Sequence, residues 1–318
     1  MDSIKNTFQR KGIKVKKRIL VSGAAGYIGS VLCPLLGKKG YELCLVDNLY
    51  FGQQFNDVPE CNWWVVDDIT KQNVVQNLIR DFKPDAVIHL AAMVGMPICQ
   101  KHPELAIMVN TEATRLFLEN IAPEVKFIAP NTNSQYGNVG TDILCTEETP
   151  TNPISLYSVT KCISEALVLN RPNSVSLRLA TVYGISDTRM RDDLLVNSFV
   201  KKLVQEGTID MFEPHYKRNF INILDISNAF IHAIEKDLEG VYNVGDDALN
   251  TTKGELAQNI ANIVGGTVTF NSDGKDFDQR NYNCSSEKLY KTQYNIETDF
   301  TEEVQKLASY YREQLDSK

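Results

Sequence analysis

Short runs of aliphatic and β-branched residues alternate with longer amphipathic stretches along the first half of the chain. From residue 17 onward the apolar runs read RILVS, YELCLV, WWVV, DAVIHLAA and KFIAP, and the amphipathic stretches include 27–39, 71–81 and 103–120. Strands that alternate with helices form a parallel sheet covered on both faces. The pattern therefore predicts an α/β fold with a doubly wound parallel sheet.

The regular alternation weakens after SVSLRLATVYG at 174–184, where helices mix with short strands and turns such as GDDALN and GGTVTFNSDG. This change predicts a boundary near residue 180. We expect a first domain at 17–180 and a smaller mixed domain at 181–318 that caps a ligand and returns some segments to the first domain. Residues 1–16 are basic and polar without apolar periodicity, so we expect a flexible extension there.

Three glycines follow the first predicted strand in the stretch VSGAAGYIGS. Gly23, Gly26 and Gly29 lack side chains where the strand turns into the first helix, so backbone amides can approach a pyrophosphate. The helix N-terminus adds partial positive charge. A glycine triplet is also common in ordinary turns, so its meaning depends on the context.

Asp47 supplies that context, because it ends the second predicted strand at roughly the 20-residue distance expected of a carboxylate that binds ribose hydroxyls. The alternative is a solvated carboxylate at a strand end. No arginine follows immediately to hold a 2'-phosphate. The sequence therefore favours NAD over NADP, and we expect NAD or NADH to remain tightly bound to the protein.

Tyr157 and Lys161 stand four residues apart in LYSVTKCISEAL, so on a helix both project from one face. A free tyrosine has a pKa of about 10, but a nearby ammonium and a cationic nicotinamide favour its phenolate. Tyr157 can then remove a hydroxyl proton while hydride leaves the same carbon. The alternative is an ordinary surface pair on an amphipathic helix.

Four motifs together resemble the extended short-chain dehydrogenase/reductases, a family of NAD-dependent nucleotide-sugar epimerases and dehydratases. They are GxxGxxG at 23–29, Asp67-Asp68-Ile69, HLAA at 89–92 and YxxxK at 157–161. The resemblance covers nearly the whole chain beyond residue 17 and implies that 17–180 is an NAD-binding Rossmann domain. The cofactor contacts it implies, besides the glycines and Asp47, are Tyr27, Ile28, Asn48, Asp68, Ile69, Leu90, Ala91, Ala92, Tyr157 and Lys161.

The same resemblance identifies two further residues. Asn110 matches an asparagine that commonly recurs in the long helix of the family. Alignment of NTNSQYG on its terminal YG places Thr132 at the Ser/Thr position that hydrogen-bonds the reacting oxygen. The implied catalytic set is therefore Thr132, Tyr157 and Lys161, in which Lys161 also hydrogen-bonds the nicotinamide ribose.

The two residues that follow Thr132 limit which reactions of the family this chain can catalyse. Family members that eliminate water from the sugar carry Asp and Glu there, whereas this chain has Asn133 and Ser134. A 4,6-dehydratase is therefore disfavoured. The GDP-fucose synthase pattern has an acid/base cysteine where Ser134 stands, so that reductive epimerase is disfavoured too. What remains is oxidation and reduction at one hydroxyl.

The second predicted domain is rich in arginine, whose planar fork can contact two oxygens of a diphosphate at once. Arg218 and Arg280 match family positions that bind the nucleotide diphosphate. The alternative for Arg189 and Arg191 is a solvated helix start. The residues we predict to bind a nucleotide-diphosphate sugar are Asn133, Ser134, Arg189, Arg191, Asn197, Arg218 and Arg280.

The net reaction stays open at this stage. The stretches at 130–137, 189–199 and 215–220 resemble the branch that contains GDP-heptose 4-dehydrogenases, although Gln135 departs from it. That resemblance implies oxidation at carbon 4, release of a 4-keto sugar and reoxidation of NADH by a second substrate such as a 2-keto acid. The alternatives are a 4-epimerase similar to UDP-glucose 4-epimerase and a catalytically inactive NAD-binding scaffold.

Composition excludes some partners and compartments. The net charge of −7 disfavours binding to nucleic acid or to anionic membranes. No run of about 18 apolar residues could span a bilayer, and the start of the chain lacks the apolar centre of a secretory signal. We therefore expect a cytoplasmic protein, and by resemblance a homodimer that packs the helices at 103–120 and 157–170 against a second copy.

The seven cysteines and four histidines show no ligand spacing, so we predict reduced, mostly structural thiols and no metal site. Cys99 lies near His102 in a predicted active-site loop. We interpret the two as unrelated loop residues.

Overall fold

The computed structural model describes residues 16–55, 58, 61–140, 143–272, 274 and 280–316. The predicted extension at 1–16 lies outside these residues except for its last position, so it stays a prediction. In chain order, the strands are β1 (Arg18–Ser22), β2 (Glu42–Asp47), β3 (Cys61–Val66), β4 (Ala86–His89), β5 (Lys126–Thr132), β6 (Leu144–Cys145), β7 (Ser174–Leu179), β8 (Thr181–Tyr183), β9 (Thr208–Met211), β10 (Lys217–Asn222), β11 (Gly240–Val244), β12 (Asp246–Thr252), β13 (Thr267–Phe270) and β14 (Asn283–Cys284).

The helices cover both faces of the main sheet and build most of the second half of the chain. They are α1 (Gly29–Lys38), α2 (Gln72–Phe82), α3 (Met96–Lys101), α4 (Pro103–Ile107), α5 (Ala113–Asn120), α6 (Leu156–Leu169), α7 (Leu195–Glu206), α8 (Ile223–Glu235), α9 (Lys253–Val264), α10 (Glu287–Tyr290) and α11 (Phe300–Asp316). A π-helical turn at Met108–Glu112 joins α4 to α5, and a 3-10 turn at Asn133–Tyr136 follows β5.

Seven parallel strands form the main sheet in the order β11-β7-β5-β4-β1-β2-β3. The chain runs outward from β1 to β3 and then restarts on the other side of β1 with β4. This reversal opens a crevice at the carboxyl ends of β1 and β4, which is where open α/β sheets bind ligands. The predicted doubly wound sheet is confirmed.

Alternate residues of β1 explain why helices cover both faces of the sheet. Ile19 and Val21 are fully buried on the face covered by α1 and α8, whereas Leu20 is fully buried on the face covered by α2 and α5. Burial of each such side chain contributes about 1.5–3 kcal/mol. The sheet is therefore a rigid platform that fixes the positions of its carboxyl-end loops.

The second half of the chain has its own apolar core between α7, α9 and α11, which includes Val196, Ile260 and Leu307. Smaller sheets accompany it, with the orders β12-β10-β8, β13-β9 and β14-β6. β11, although late in the chain, pairs with β7 in the main sheet. Within the part of the chain that the structure describes, no helix combines the length and apolar character needed to cross a membrane.

Candidate active site

The glycine-rich turn between β1 and α1 has no room for side chains. Gly23 has a φ of +71°, and a Cβ there would lie 2.5 Å from the backbone nitrogen of Ala91. A Cβ on Gly29 would lie 2.4 Å from the carbonyl oxygen of Ala24. Helix α1 begins at this turn, with Ile28 as its N-cap and no side-chain hydrogen bond at the cap, so the helix N-terminus places partial positive charge there. The turn therefore fits a pyrophosphate.

Asp47 is buried at the end of β2, where it faces this turn. Its Oδ2 accepts a hydrogen bond from the Ala25 amide at 3.1 Å, and its Oδ1 accepts one from the Leu49 amide at 2.8 Å and one from Gln53 Nε2 at 3.2 Å. Burial raises the pKa of the Asp47 carboxyl, and the Leu49 and Ala25 amides oppose that rise. A carboxylate offers about four acceptor positions, so this one retains capacity for a ribose hydroxyl.

One cleft brings together the predicted cofactor residues around this turn. Met93, Val94, Tyr50, Phe51 and Gln53 also line it, and sequence reasoning did not identify them. The predicted residues that line the cleft are Gly23, Gly26, Tyr27, Ile28, Gly29, Asp47, Asn48, Asp68, Ile69, Leu90, Ala91 and Ala92.

Tyr157 and Lys161 lie in the first turns of α6. Ser155 begins that helix with a capping box, in which its side chain and that of Ser158 each accept a hydrogen bond from the other residue's amide. The Thr132 side chain, at the end of β5, lies close enough to the Tyr157 hydroxyl to lower its pKa. Strand β5 and helix α6 thus bring the three predicted catalytic residues together.

Asn131 connects the same strand and helix. Its Nδ2 donates to the Lys161 carbonyl oxygen at 2.9 Å, and its Oδ1 accepts from the Thr132 amide at 3.0 Å. The sequence offered one signal for this residue, because a polar side chain there follows the apolar run of a buried strand. Asn131 therefore fixes Thr132 relative to Lys161.

Charged side chains from the second half of the chain act on the Tyr157 hydroxyl. Burial raises the pKa of Tyr157 to about 12, and the cations that most oppose this rise are Arg280 and Arg191. Burial also lowers the pKa of Lys161 to about 8, which Glu165 opposes. Two arginines from the second half of the chain therefore also act on Tyr157, and the predicted effect of the Lys161 ammonium and the nicotinamide stays a prediction.

Asn110 lies in the π-helical turn and makes a buried bridge. Its Oδ1 accepts from the Met93 amide at 2.8 Å, while its Nδ2 donates to the Met93 carbonyl oxygen and to Thr160 Oγ1, both at 3.0 Å. The loop after β4 is thereby tied to α6 on the turn that follows Tyr157.

A family model described as the NAD-dependent epimerase/dehydratase family matches residues 19–245, which is more than two thirds of the chain. The chain belongs to this family. As a member of an NAD-dependent family it uses NAD, as the sequence predicted, and it is an enzyme of the nucleotide-sugar epimerase/dehydratase class.

Two relatives and one solved structure place it among different activities of the family. It is 27% identical over 252 residues to UDP-glucose 4-epimerase of Lactobacillus helveticus, which covers 72% of this chain and 76% of that protein. It is 24% identical over 283 residues to UDP-glucuronic acid decarboxylase 1 of Xenopus tropicalis, which covers 84% of this chain and 65% of that protein. Thermus thermophilus UDP-glucose 4-epimerase, solved with NAD, has the same fold, with a TM-score of 0.81 at 24% identity over 93% of this chain and 99% of that one.

The residues predicted to bind the nucleotide sugar lie in different parts of the structure. Ser134 contacts Arg280, which acts electrostatically on Tyr157. Asn133 is fully buried beside Thr132, and neither polar atom of its side chain has a hydrogen-bond partner among the described residues. These three predicted substrate residues are therefore close to the predicted catalytic set.

Arg189 and Arg191 line the same cleft as the cofactor residues. The Arg189 guanidinium lies 3.5 Å from the centre of the Phe51 ring, and Arg191 forms an ion pair with Asp193 at 2.6 Å. The alternative of a solvated helix start does not hold for Arg191, because only 12% of its side chain is exposed and α7 begins later, at Leu195.

Asn197 and Arg218 are buried in the second half of the chain. The Asn197 amide donates to Tyr27 Oη at 3.1 Å and to the Arg191 carbonyl oxygen at 3.0 Å, and it accepts from the Gly184 amide. The polar atoms of Asn197 thus bind the protein itself, and its predicted substrate contact stays a prediction. Arg218 packs 5.3 Å from the centre of the Tyr282 ring.

Cys99 lies in the core cluster that packs against Tyr157. Its thiol donates to the Met93 carbonyl oxygen at 3.3 Å, and burial raises its pKa to about 11. Cys99 therefore lies on α3 rather than in a loop, and it packs near Tyr157, the predicted catalytic base. Over the described ranges, no group of three or more His, Cys, Asp or Glu side chains could hold a metal ion.

Proposed function

We propose that this protein oxidises the hydroxyl on carbon 4 of a nucleotide-diphosphate sugar to a ketone. The observation that carries the proposal is the meeting of Thr132, Tyr157 and Lys161 at the ends of β5 and α6, with Asn133 and Ser134 in place of the acidic pair of a dehydratase. A partly buried tyrosine beside a threonine suits proton removal from one hydroxyl. It supplies no second acid for elimination of water.

NAD bound in the glycine-rich cleft supplies the hydride acceptor and, when reduced, the hydride donor. Thr132 holds the sugar hydroxyl, and Tyr157 takes its proton as the carbon becomes a ketone. Arg280 and Arg191 stabilise the phenolate that this step requires, because their charges lower the pKa of Tyr157. Lys161 donates to the nicotinamide ribose and keeps a positive charge near the reacting centre.

The substrate site is proposed next to this set. A buried amide without a partner costs about 1–3 kcal/mol, so we expect a sugar hydroxyl to satisfy the Asn133 side chain. Arg280 and Ser134 line the same region. Arg218 suits a phosphate, because its guanidinium is held against Tyr282 in the second domain. UDP-sugars in the names of both relatives support a nucleotide-diphosphate sugar as the substrate class.

Two net outcomes follow from a 4-keto sugar. Release of the ketone makes the protein a 4-dehydrogenase, which the resemblance to the GDP-heptose branch favours and which needs an acceptor such as a 2-keto acid to reoxidise NADH. Return of hydride to the other face makes it a 4-epimerase, which the likeness to UDP-glucose 4-epimerase favours. The second outcome needs no acceptor.

A borodeuteride quench tests the oxidation itself. The protein with NAD is mixed with UDP-, GDP-, dTDP- and CDP-sugars, quenched during turnover and analysed by mass spectrometry and NMR. The proposal predicts one deuterium at carbon 4, in both configurations, for the true substrate. Deuterium at another carbon would contradict the position, and no ketone or product from any of the sugars would favour the inactive scaffold.

We also propose that the protein forms a homodimer. Ile107 and Met108 in the α4–α5 region and Val159 and Ile163 on α6 are large apolar side chains that are between 38% and 48% exposed. Exposed apolar residues on adjacent helices suit a second copy of the same surface. Light scattering should give a mass near twice the chain mass of 35.8 kDa, and a mass of one chain would refute the dimer.

A further inference from the structure

A buried carboxylate lies one helical turn after Lys161. Glu165 is 6% exposed, and its carboxylate accepts from Arg178 at 2.6 Å and from Ser176 Oγ at 2.8 Å. Burial of an ion pair costs desolvation, so apolar residues of similar volume are often as stable or more stable. Stability alone is therefore a weak explanation for a buried Glu165–Arg178 pair at this position.

Gln135 connects this carboxylate to the catalytic strand. Its Nε2 donates to Asn131 Oδ1 at 2.6 Å and lies 3.5 Å from Glu165 Oε2. Asn131 in turn contacts the Thr132 amide and the Lys161 carbonyl oxygen. A continuous set of hydrogen bonds therefore runs from Glu165 to both of these residues.

The charged and titratable groups around Lys161 come from several elements. Glu165 on α6 raises the pKa of Lys161 most, and Cys99 on α3 raises it less. His89 on β4 also feels the Lys161 charge, but burial lowers its pKa to about 3, so it is neutral at physiological pH. Arg178 on β7 binds the far side of Glu165. Glu165 is thus the leading group that opposes loss of the Lys161 proton.

We propose that Glu165 is a positioning residue for Lys161, because it lies one helical turn away on α6 and, through Gln135 and Asn131, holds Thr132 and Lys161 in place. The inference rests on the proposed function of Lys161 as a ligand of the nicotinamide ribose. Its specific consequence is that removal of the Glu165 charge makes Lys161 lose its proton at a lower pH.

Equilibrium binding of NADH, followed by its fluorescence between pH 6 and 10, tests this consequence without a known sugar substrate. In the unaltered protein, NADH affinity should fall as the pH rises through about 8, because Lys161 becomes neutral. In Glu165→Gln this fall should occur about one pH unit or more closer to neutrality, since a nearby opposite charge shifts a pKa by roughly 1–3 units. Glu165→Asp, which keeps the charge, should restore most of the original profile.

Matched variants separate this effect from loss of stability. Asp225→Asn is the matched control. Asp225, on α8, is also a fully buried carboxylate and accepts a hydrogen bond from Thr298, so its replacement should leave the pH profile of NADH affinity unchanged. Glu165→Gln leaves Arg178 buried without its partner, so the variant can fail to fold. The double variant Glu165→Gln/Arg178→Gln removes both charges, so the fall should shift in the same direction as in Glu165→Gln but by less, because loss of the Arg178 cation offsets part of the effect.

Lys161→Met separates the proposed role of Glu165 from the proposed role of Lys161. If this variant loses the pH-dependent fall and the Glu165 variants shift it, the inference is supported. If Lys161→Met loses the fall but folded Glu165→Gln or the double variant titrates like the unaltered protein, the positioning role is refuted. A Lys161→Met profile identical to that of the unaltered protein would instead refute the proposed role of Lys161 itself.

Discussion

Replacement of Tyr157 by Phe should abolish most turnover while the protein still folds and binds NADH. The change removes one hydroxyl and at most one hydrogen bond, toward the neighbouring Thr132, whose Oγ1 keeps its bond from the Ser134 amide at 3.1 Å. Loss of one such hydrogen bond costs about 0.5–1.5 kcal/mol of folding free energy. Loss of the proton acceptor should cost about 100-fold to 10,000-fold in kcat, or roughly 2.7–5.4 kcal/mol of barrier.

The pH profile makes this prediction more specific. Burial places the pKa of Tyr157 near 12 without ligands, so the phenolate fraction increases with pH across the neutral range. Activity of the unaltered enzyme should therefore rise with pH until the combined charges of Arg280, Arg191 and bound NAD ionise Tyr157. Above about pH 8, loss of the Lys161 proton should oppose the rise. In Tyr157→Phe the rising limb should be absent.

The assay is formation of bound NADH, followed by absorbance after rapid mixing with the sugar identified by the borodeuteride quench. Tyr294→Phe is the matched control, because Tyr294 is also buried and donates one hydrogen bond, to the Asp225 carbonyl oxygen at 2.6 Å, far from the site. It should retain normal turnover. Tyr157→Phe with a rate within about threefold of the unaltered enzyme would remove Tyr157 from the mechanism, since general bases contribute far more.

Three other variants test neighbouring parts of the account. Asp47→Ala should weaken NAD binding and reduce the preference for NAD over NADP in equilibrium titrations; tighter binding of NADP than NAD by the unaltered protein would show that Asp47 is misassigned. Thr132→Val should reduce kcat less than Tyr157→Phe, because a positioned hydroxyl is lost and the base remains; a larger loss would reverse their roles. Gly23→Ala should lower NADH affinity at least tenfold or prevent folding, because its Cβ would lie 2.5 Å from the Ala91 nitrogen in a backbone conformation with a φ of +71°; unchanged affinity and thermal stability would contradict the tight fit of this turn.

Local motifs explain why part of the site could be predicted from the sequence. Gly23 and Asp47 follow the first and second strands of one β-α-β unit, and Tyr157 and Lys161 lie four residues apart on one helix, so spacing along the chain predicts each pair. The apolar runs likewise indicated the parallel sheet, because its strands are buried on both faces.

Tertiary contacts explain what the sequence could not predict. Arg191 and Arg280 approach Tyr157 only because the second half of the chain folds over the first, and no spacing in the sequence reports that distance. The contacts of Asn197 with Tyr27 and the Arg191 backbone likewise join distant parts of the chain, so the sequence did not indicate them. Glu165 had one signal, its spacing of four residues from Lys161, but its burial becomes evident only with Arg178 opposite.

Deuterium at carbon 4 of the sugar tests the central claim most directly. The enzyme is incubated with the labelled nucleotide sugar and NAD, with and without a 2-keto acid, and the label is located in the sugar, cofactor and acceptor by mass spectrometry and NMR. Oxidation at carbon 4 predicts that the label leaves this carbon: an epimerase returns it there with inverted configuration, while a dehydrogenase passes it to NADH or the acceptor. Label retained at carbon 4 with unchanged configuration, while product forms and no label reaches the cofactor, would contradict the proposal.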